Sequence, residues 1–331
     1  MSRTHLSLSA ILMAQKRIQP HIRRTPLVHS LALSQLTGGD IWLKLENQQV
    51  TGSFKARGAL NKIATLSPEE KMRGVVTGSA GNHGLGVAYA ARTWGPLSAN
   101  VFVPETAPPS KKDKMRRLGA ALHEVGQTYE EAHQAAEAFA RDTGATYIQA
   151  YDDVDVIAGQ GTMALEILTD QPQTDLVIVP VGGGGMAAGV ATTAKAANAA
   201  CNIIGVQPEA SPAALLSLRD GTPYDPYDHE PTIADGLAGG FGAVPFLVAH
   251  TLIDEVLLSS EPALRRAVFS LLNLEQLLVE PSGAISVAPL LEGQLDVKGK
   301  TVVCVLSGCN IATHLLRDIL TEYAPVTEEA L

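Results

Sequence analysis

From residue 74 onward, short apolar runs bounded by Gly or Pro alternate with stretches of helical length. The runs are Gly74-Val75-Val76, Asn100–Val103, Ala121–Val125, Tyr147–Gln149, Leu176–Val179, Ile203–Val206, Glu255–Leu258 and Thr301–Leu306. Helical patterns lie between them at 83–93, 129–141, 156–169, 186–198, 261–272 and 310–321. Strands separated by helices of this length read as right-handed crossovers, so the chain is an α/β protein with mostly parallel sheets flanked by helices. Helices on both sheet faces explain continuous runs such as LVIVP and VVCVL in place of alternation. So many strands overfill one small sheet, and 331 residues at roughly 150 per domain give about two domains. Two α/β lobes are expected, with no linker or internal repeat to mark their boundary.

Upstream, IWLKLE (41–46) alternates Ile41, Leu43 and Leu45 with Trp42, Lys44 and Glu46, which predicts a half-buried strand. Leu8, Ile11, Leu12 and Ile18 predict one face of a helix stopped by Pro20. Arg3 ahead of this stretch imitates a signal peptide, but Ser7 and Ser9 interrupt it and Gln15, Lys16 and Arg17 follow directly. No window holds the ~18 apolar residues a membrane span needs, so no membrane partner is expected. A formal charge of −9 argues against nucleic acid. Cys201, Cys304 and Cys309 form no CxxC pair, which predicts a reduced, cytoplasmic setting without a disulfide scaffold or zinc site. The basic stretch KKDKMRR (111–117) reads as a solvated helix face.

Three strand-to-helix turns are placed to present backbone N–H groups to an anion: VVTGSAGNHGLG (75–86), VIVPVGGGGMAAG (177–189) and VCVLSGCN (303–310). Each Gly costs roughly 0.5–1 kcal/mol more than Ala in lost freedom, so Gly182 to Gly185 together cost about 2–4 kcal/mol. A tight turn needs one or two glycines, so four point to a phosphate approached closely by backbone. No Gly-Lys-Ser/Thr follows, which excludes a Walker loop. Gly183, Gly185 and Ala188 fit a dinucleotide fingerprint with Glu209 beyond the next strand, so an NAD(P)-binding oxidoreductase stands as the alternative of a different class.

Lys55 separates these readings. Thr51, Gly52 and Ser53 predict a helix start with Lys55 in its first turn, where the helix dipole disfavours a cation by roughly 0.3–1 kcal/mol. A lowered pKa supplies the neutral amine that a Schiff base requires.

The chain resembles the fold type II pyridoxal-phosphate enzymes, and within them the serine/threonine dehydratase and serine racemase group. TPLVHS (25–30), LKLEN (43–47), GSFKARGA (52–59), SAGNHG (79–84), VGGGGMAAG (181–189), VEPSGA (279–284) and LSGCN (306–310) match that group's landmarks in order. The resemblance implies a two-lobed, tryptophan synthase β-like fold. Residues 1–47 and 149–331 would form the large cofactor-binding domain and 48–148 a small mobile domain. It further implies that Lys55 carries pyridoxal 5'-phosphate as a Schiff base, with Phe54 packed near the ring. Asn82 would meet the ring hydroxyl, Gly182, Gly183, Gly184, Gly185 and Met186 the phosphate, and Ser307 the pyridine nitrogen. Ser79, Ala80, Gly81, Asn82 and His83 would hold the substrate carboxylate. Glu280 is either a group that reads or assists the substrate or a surface strand-end carboxylate.

The activity implied is loss of a β-hydroxyl from L-threonine, L-serine or a similar amino acid, giving a 2-oxo acid and ammonia. Serine racemase and a hydroxyectoine- or hydroxyaspartate-type dehydratase are the alternatives within the group, and a non-catalytic metabolite sensor is a further one. Ala80 stands where racemases of this group carry a second serine, so elimination should dominate. Gln207, Ser211 and Ala213 stand where some relatives bind a metal through carboxylates, so no magnesium dependence is expected there. Ala56-Arg57-Gly58 after the lysine is the dehydratase-like form. The chain ends about twenty residues after LSGCN, judged by ordinary loop and helix lengths, which predicts a stand-alone catabolic enzyme without a regulatory domain. A homodimer is implied.

Overall fold

A computed structural model describes residues 6–95 and 97–328, with side-chain detail through residue 324. Ten strands form two sheets among the described residues: β1 (Leu27–His29), β2 (Asp40–Lys44), β3 (Val75–Gly78), β4 (Ala99–Val103), β5 (Ala121–Glu124), β6 (Thr146–Tyr147), β7 (Leu176–Pro180), β8 (Asn202–Pro208), β9 (Glu255–Ser259) and β10 (Thr301–Val305). Six make one sheet in the order β1-β2-β10-β7-β8-β9, and four make the other in the order β5-β4-β3-β6. All neighbours are parallel except β1, which runs antiparallel to β2. The α/β class and its parallel sheets are thus the observed ones. Only β1 was not predicted, because its three residues are largely exposed and form no apolar run.

Both faces of the larger sheet are covered, as the continuous runs require. On β10, Val303 and Val305 enter one core with Ile157, Met163 and Val179, while Val302 and Cys304 enter another with Ile41, Leu43 and Ile178. The smaller sheet is likewise double-faced, with Val75 and Val101 on one side and Val76 and Phe102 on the other. The first helix is Leu8–Ile18, but its buried face is Ile11, Ala14 and Ile18. Leu12 is exposed, contrary to expectation, because positions 11, 14 and 18 already complete the inward stripe. The last helix begins at Thr313 rather than 310.

The half-buried reading of β2 fails at its polar positions. Lys44 and Glu46 are both fully buried. They belong to a cluster with Arg57 and Glu166. Arg57 gives Nε and Nη2 to Glu46 at 2.8 and 2.7 Å, and Nη1 and Nη2 to Glu166 at 2.8 and 2.9 Å. Lys44 Nζ donates to Glu166 at 2.6 Å and to the Thr25 carbonyl at 2.7 Å. The Thr25 hydroxyl donates to Glu46 at 2.6 Å, and Arg57 Nη1 also reaches the Thr162 hydroxyl at 3.1 Å. Two cations and two carboxylates balance here, so charge buries charge. Burial alone would raise the Glu46 pKa, but the Arg57 guanidinium holds that carboxyl below the usual range.

Three helices stack through glycine contacts. Gly159 of helix Val154–Asp170 lies so close to helix Lys55–Thr65 that a Cβ there would sit 2.5 Å from the Arg57 carbonyl oxygen. On its other side, a Cβ on Gly189 of helix Gly185–Ala197 would sit 2.6 Å from Gly161 N. Helix Val154–Asp170 is therefore the common wall between the helix that starts with Lys55 and the helix that follows the glycine tetrad.

Candidate active site

Lys55 is the first residue of its helix. Phe54 is the N-cap and provides no side-chain bond, so the Thr51-Gly52-Ser53 segment precedes the helix without capping it. Gly52, at φ +75°, makes the turn, and Phe54 N donates to the Ser307 carbonyl at 3.1 Å. The Lys55 amine donates to the Ala150 carbonyl at 2.9 Å and lies 5.2 Å from the Phe54 ring centre. Its pKa is lowered to about 8, as a Schiff-base lysine needs. The cause is withdrawal of the amine from water, where the helix dipole had been expected to act.

The glycine tetrad follows β7, with Gly184 at φ +88° as N-cap of helix Gly185–Ala197. A Cβ on Gly182 would lie 2.9 Å from Leu237 Cα, and one on Gly183 would lie 2.2 Å from the Tyr151 ring. One on Gly184 would lie 2.3 Å from Phe241, and one on Gly185 would lie 3.0 Å from Tyr151 Cα. Close packing thus leaves no free room for a Cβ at Gly182, Gly183 and Gly184 and little at Gly185, more than the one or two glycines expected of a tight turn. The helix start carries no side-chain cap, so its first N–H groups lack the bond a capping side chain would give them. Met186, in the first helical turn, is buried.

Asn82 opens helix Asn82–Thr93, one residue earlier than the pattern indicated. Its Nδ2 donates to Glu280 at 2.5 Å, while its Oδ1 accepts from Asn310 at 2.7 Å. Glu280 is buried and N-caps the short helix Pro281–Ala284, so the surface strand-end alternative is excluded. Burial, helped by the charge of Asp235, raises its pKa to about 7. Ser79 Oγ accepts from Gly81 N at 3.3 Å, which holds the turn, and Ala80 is half-buried against the smaller sheet's core. The His83 ring is buried, bonded to the Ile148 carbonyl at 2.9 Å, and its pKa is pushed down to about 3 by burial and by Lys55. It is a neutral imidazole. Ser307 is buried, its hydroxyl 3.4 Å from the Ser282 carbonyl.

These segments meet. Ser53 and Gly308 form an isolated antiparallel bridge, and a Cβ on Gly308 would lie 2.0 Å from Glu280 Oε1. A Cβ on Gly86 would lie 3.1 Å from the Lys55 backbone carbonyl. Ala150, which holds the Lys55 amine, precedes the Tyr151 that packs on Gly183 and Gly185. Sequence reasoning missed Tyr151, Asn310 and Asp235. No local spacing marks which residue in a loop turns inward. The basic stretch is also more than a solvated face: Lys112 is buried against Glu124, while Lys111 reaches Asp235 at 3.3 Å and Lys114 reaches Asn310 at 3.0 Å.

The residues fit pyridoxal phosphate. A desolvated lysine amine lies beside an uncapped helix start lined by glycines, and Ser53 Oγ is buried with no partner among the described residues. Gln207, at the position considered for a metal, instead accepts through Oε1 from Ala214 N and Leu215 N at 2.9 and 3.1 Å, capping helix Ala213–Asp220. The described residues hold no group of three or more His, Cys, Asp or Glu able to bind a metal, and none of their helices is long and apolar enough to cross a membrane.

Fold and site together define a fold type II pyridoxal-phosphate enzyme of the serine/threonine dehydratase and racemase group. A sequence profile described as pyridoxal-phosphate dependent enzyme matches residues 18–308, and the chain belongs to that family. It is 43% identical over 318 residues to the L-threonine ammonia-lyase of Thermotoga maritima, covering 96% of this chain and 79% of the relative. Among solved structures it resembles threonine deaminase isoform 2 of Solanum lycopersicum, with TM-score 0.90, 33% identity and coverage of 96% and 87%. Maize serine racemase is similar at TM-score 0.88 and 31% identity, covering 98% of this chain and 99% of that one. The dinucleotide reading of Gly183, Gly185 and Ala188 is thereby replaced.

Proposed function

We propose that this chain removes the β-hydroxyl of a β-hydroxy amino acid, L-threonine or L-serine, releasing a 2-oxo acid and ammonia. The observation that carries this reading is the Lys55 amine, its pKa lowered to about 8 by burial so that a large share is neutral near that pH, held against the loop that abuts the glycine tetrad. The likeness to a threonine ammonia-lyase and a threonine deaminase supports the substrate class.

Pyridoxal phosphate, when bound, supplies an electron sink that acidifies the substrate's Cα proton. Lys55 would hold it covalently through its amine, and that amine is also the group that would take the substrate's Cα proton. Gly182, Gly183, Gly184, Gly185 and Met186 would bind its phosphate through backbone N–H groups. Asn82 would donate toward the ring hydroxyl, Phe54 would pack by the ring, and Ser307 would face the pyridine nitrogen. A neutral hydroxyl there does not keep that nitrogen protonated as a carboxylate does, which favours prompt loss of a β-leaving group. The turn Ser79-Ala80-Gly81-Asn82-His83 would hold the substrate carboxylate. Glu280, with its pKa near 7, is able to give or take a proton at neutral pH beside Asn82. With Ala80 in place of a hydroxyl, no proton donor stands at that position for the opposite face of Cα, which favours elimination over racemisation.

In this reading residues 48–148 close as a small domain over a large one made of 1–47 and 149–331, excluding water. The enzyme works as a cytoplasmic homodimer. The test is to incubate purified protein with pyridoxal phosphate, record its visible spectrum, and assay 2-oxo acid release from a panel of β-hydroxy amino acids. A coloured protein that releases 2-oxobutyrate or pyruvate, with both properties lost in Lys55→Ala, is the expected result. A wild type that stays colourless rejects the reading.

A further inference from the structure

The buried cluster of Lys44, Glu46, Arg57 and Glu166 lies outside the chemistry just described, yet Arg57 is two residues from Lys55. We infer that this cluster is a positioning device: it sets the rotation of helix Lys55–Thr65 about its own axis and thereby aims the Lys55 amine. The inference rests on Lys55 being the cofactor lysine.

Three observations carry it. First, the helix begins without a capping side chain, and its entry turn is held by backbone contacts, Phe54 N on the Ser307 carbonyl and the Ser53–Gly308 bridge, so the cluster adds the side-chain hold that a cap does not give. Second, Arg57 binds two carboxylates on separate elements, Glu46 just after β2 and Glu166 in helix Val154–Asp170, with four hydrogen bonds of 2.7–2.9 Å. Apolar packing tolerates small rotations, whereas two planar forks at one guanidinium do not. Third, the Gly159 contact brings the two helices together at the Arg57 and Gly58 backbone, leaving no slack in their separation. Rotation is then fixed by polar contacts, and the four charge-assisted bonds of Arg57 act beside the bonds from Gly58 N to Gln160 and from Asn61 Nδ2 to the Asp155 carbonyl.

Residues two apart on a helix point about 200° apart, so a turn that loosens Arg57 swings Lys55 in the same sense. With side chains reaching roughly 5–6 Å from the axis, a rotation of ~10° carries an amine about 1 Å. Misplacement by about that distance is able to reduce turnover ~100-fold. The same helix Val154–Asp170 touches helix Gly185–Ala197 through Gly161 and Gly189, so the cluster registers the amine against the helix that starts at the glycine tetrad.

The test uses the holoenzyme and the double variant Glu46→Gln/Arg57→Met, which leaves the Lys44–Glu166 pair intact and the buried charge balanced. The readouts are thermal unfolding, the pH midpoint of the cofactor's visible band, kcat and KM. The expected result is a folded, coloured protein whose kcat falls ~10–100-fold with KM within about 3-fold of wild type, and whose band midpoint moves. A folded, coloured double variant with kcat within about 2-fold and an unmoved midpoint overturns the inference. Should the double variant not fold, Arg57→Lys keeps the cation and removes the fork: the same losses support the inference, and full kcat overturns it. Failure of both variants to fold also overturns it, in favour of a purely structural role. A wild type that never acquires the visible band defeats the cofactor assignment instead.

Discussion

Replacing Gly184 by Ala tests whether the glycine tetrad is shaped by contact or only by backbone twist. Gly184 has φ +88°, and a Cβ there would meet the buried Phe241 ring at 2.3 Å and Pro245 at 2.9 Å. The left-handed backbone costs Ala about 1–2 kcal/mol, and forcing a methyl into packed surroundings costs about 1–3 kcal/mol more. The sum is about 2–5 kcal/mol. Gly221, at φ +70° with nothing within 4 Å of its would-be Cβ, isolates the first part alone. Unfolding entropy of about 2.1 cal/mol/K per residue over 331 residues is ~0.7 kcal/mol/K, so each kcal/mol moves the midpoint by about 1.5 °C. Differential scanning fluorimetry of cofactor-free protein should show a drop of about 3–7 °C for Gly184→Ala and about 1.5–3 °C for Gly221→Ala. Titration with pyridoxal phosphate should show weakened binding in Gly184→Ala only, because that residue directs the first N–H groups of its helix. Equal thermal shifts and equal cofactor affinity in the two variants would refute the contact explanation.

Further outcomes follow from the site's electrostatics. In cofactor-free protein, acylation of Lys55 followed by mass spectrometry should rise with a midpoint near pH 8; a midpoint close to 10.5 refutes the role of burial. Because the folded pKa lies below the unfolded one, the unfolded state binds more protons between about pH 8 and 10.5, so this lysine makes stability rise across that window and Lys55→Met removes the rise. Glu280 behaves oppositely: its folded pKa of about 7 exceeds 4.5, so its contribution is full below about pH 4.5 and declines as pH rises to about 7. Urea unfolding should show Glu280→Gln flattening that decline, and an unchanged slope would count against a buried, proton-holding carboxyl. With L-serine, chiral chromatography should find pyruvate without comparable D-serine, and Ala80→Ser should raise D-serine; comparable racemisation by the wild type would contradict the reading of Ala80.

What was legible in the sequence is what local chemistry encodes. Apolar runs bounded by Gly or Pro announce strands, and eight of the ten described strands were marked this way, with β2 marked by alternation. The glycines of 182–185 are visible because a missing side chain is itself a local statement, although their reason proved to be Tyr151, Leu237 and Phe241, which lie far along the chain. Lys44 and Glu46 read as the wet side of a strand because alternation cannot reveal that Arg57 and Glu166 arrive to neutralise them. The lowered pKa of Lys55 was anticipated from its place in the helix, but its source is desolvation by segments such as 148–150, which only the tertiary fold assembles.

Helix Val154–Asp170 has its middle locked between two backbones, while the segment ahead of it is held by side-chain contacts. Gly159 and Gly161 admit no larger residue without pushing two neighbouring backbones apart, whereas Ala150, Tyr151 and Asp152 precede the helix and lie beside the Lys55 amine and the glycine tetrad. Divergence toward new amino acids should therefore accumulate at the front of this segment while its centre stays unchanged. A library that randomises 150–152 and leaves 159–161 untouched is the economical route to altered selectivity.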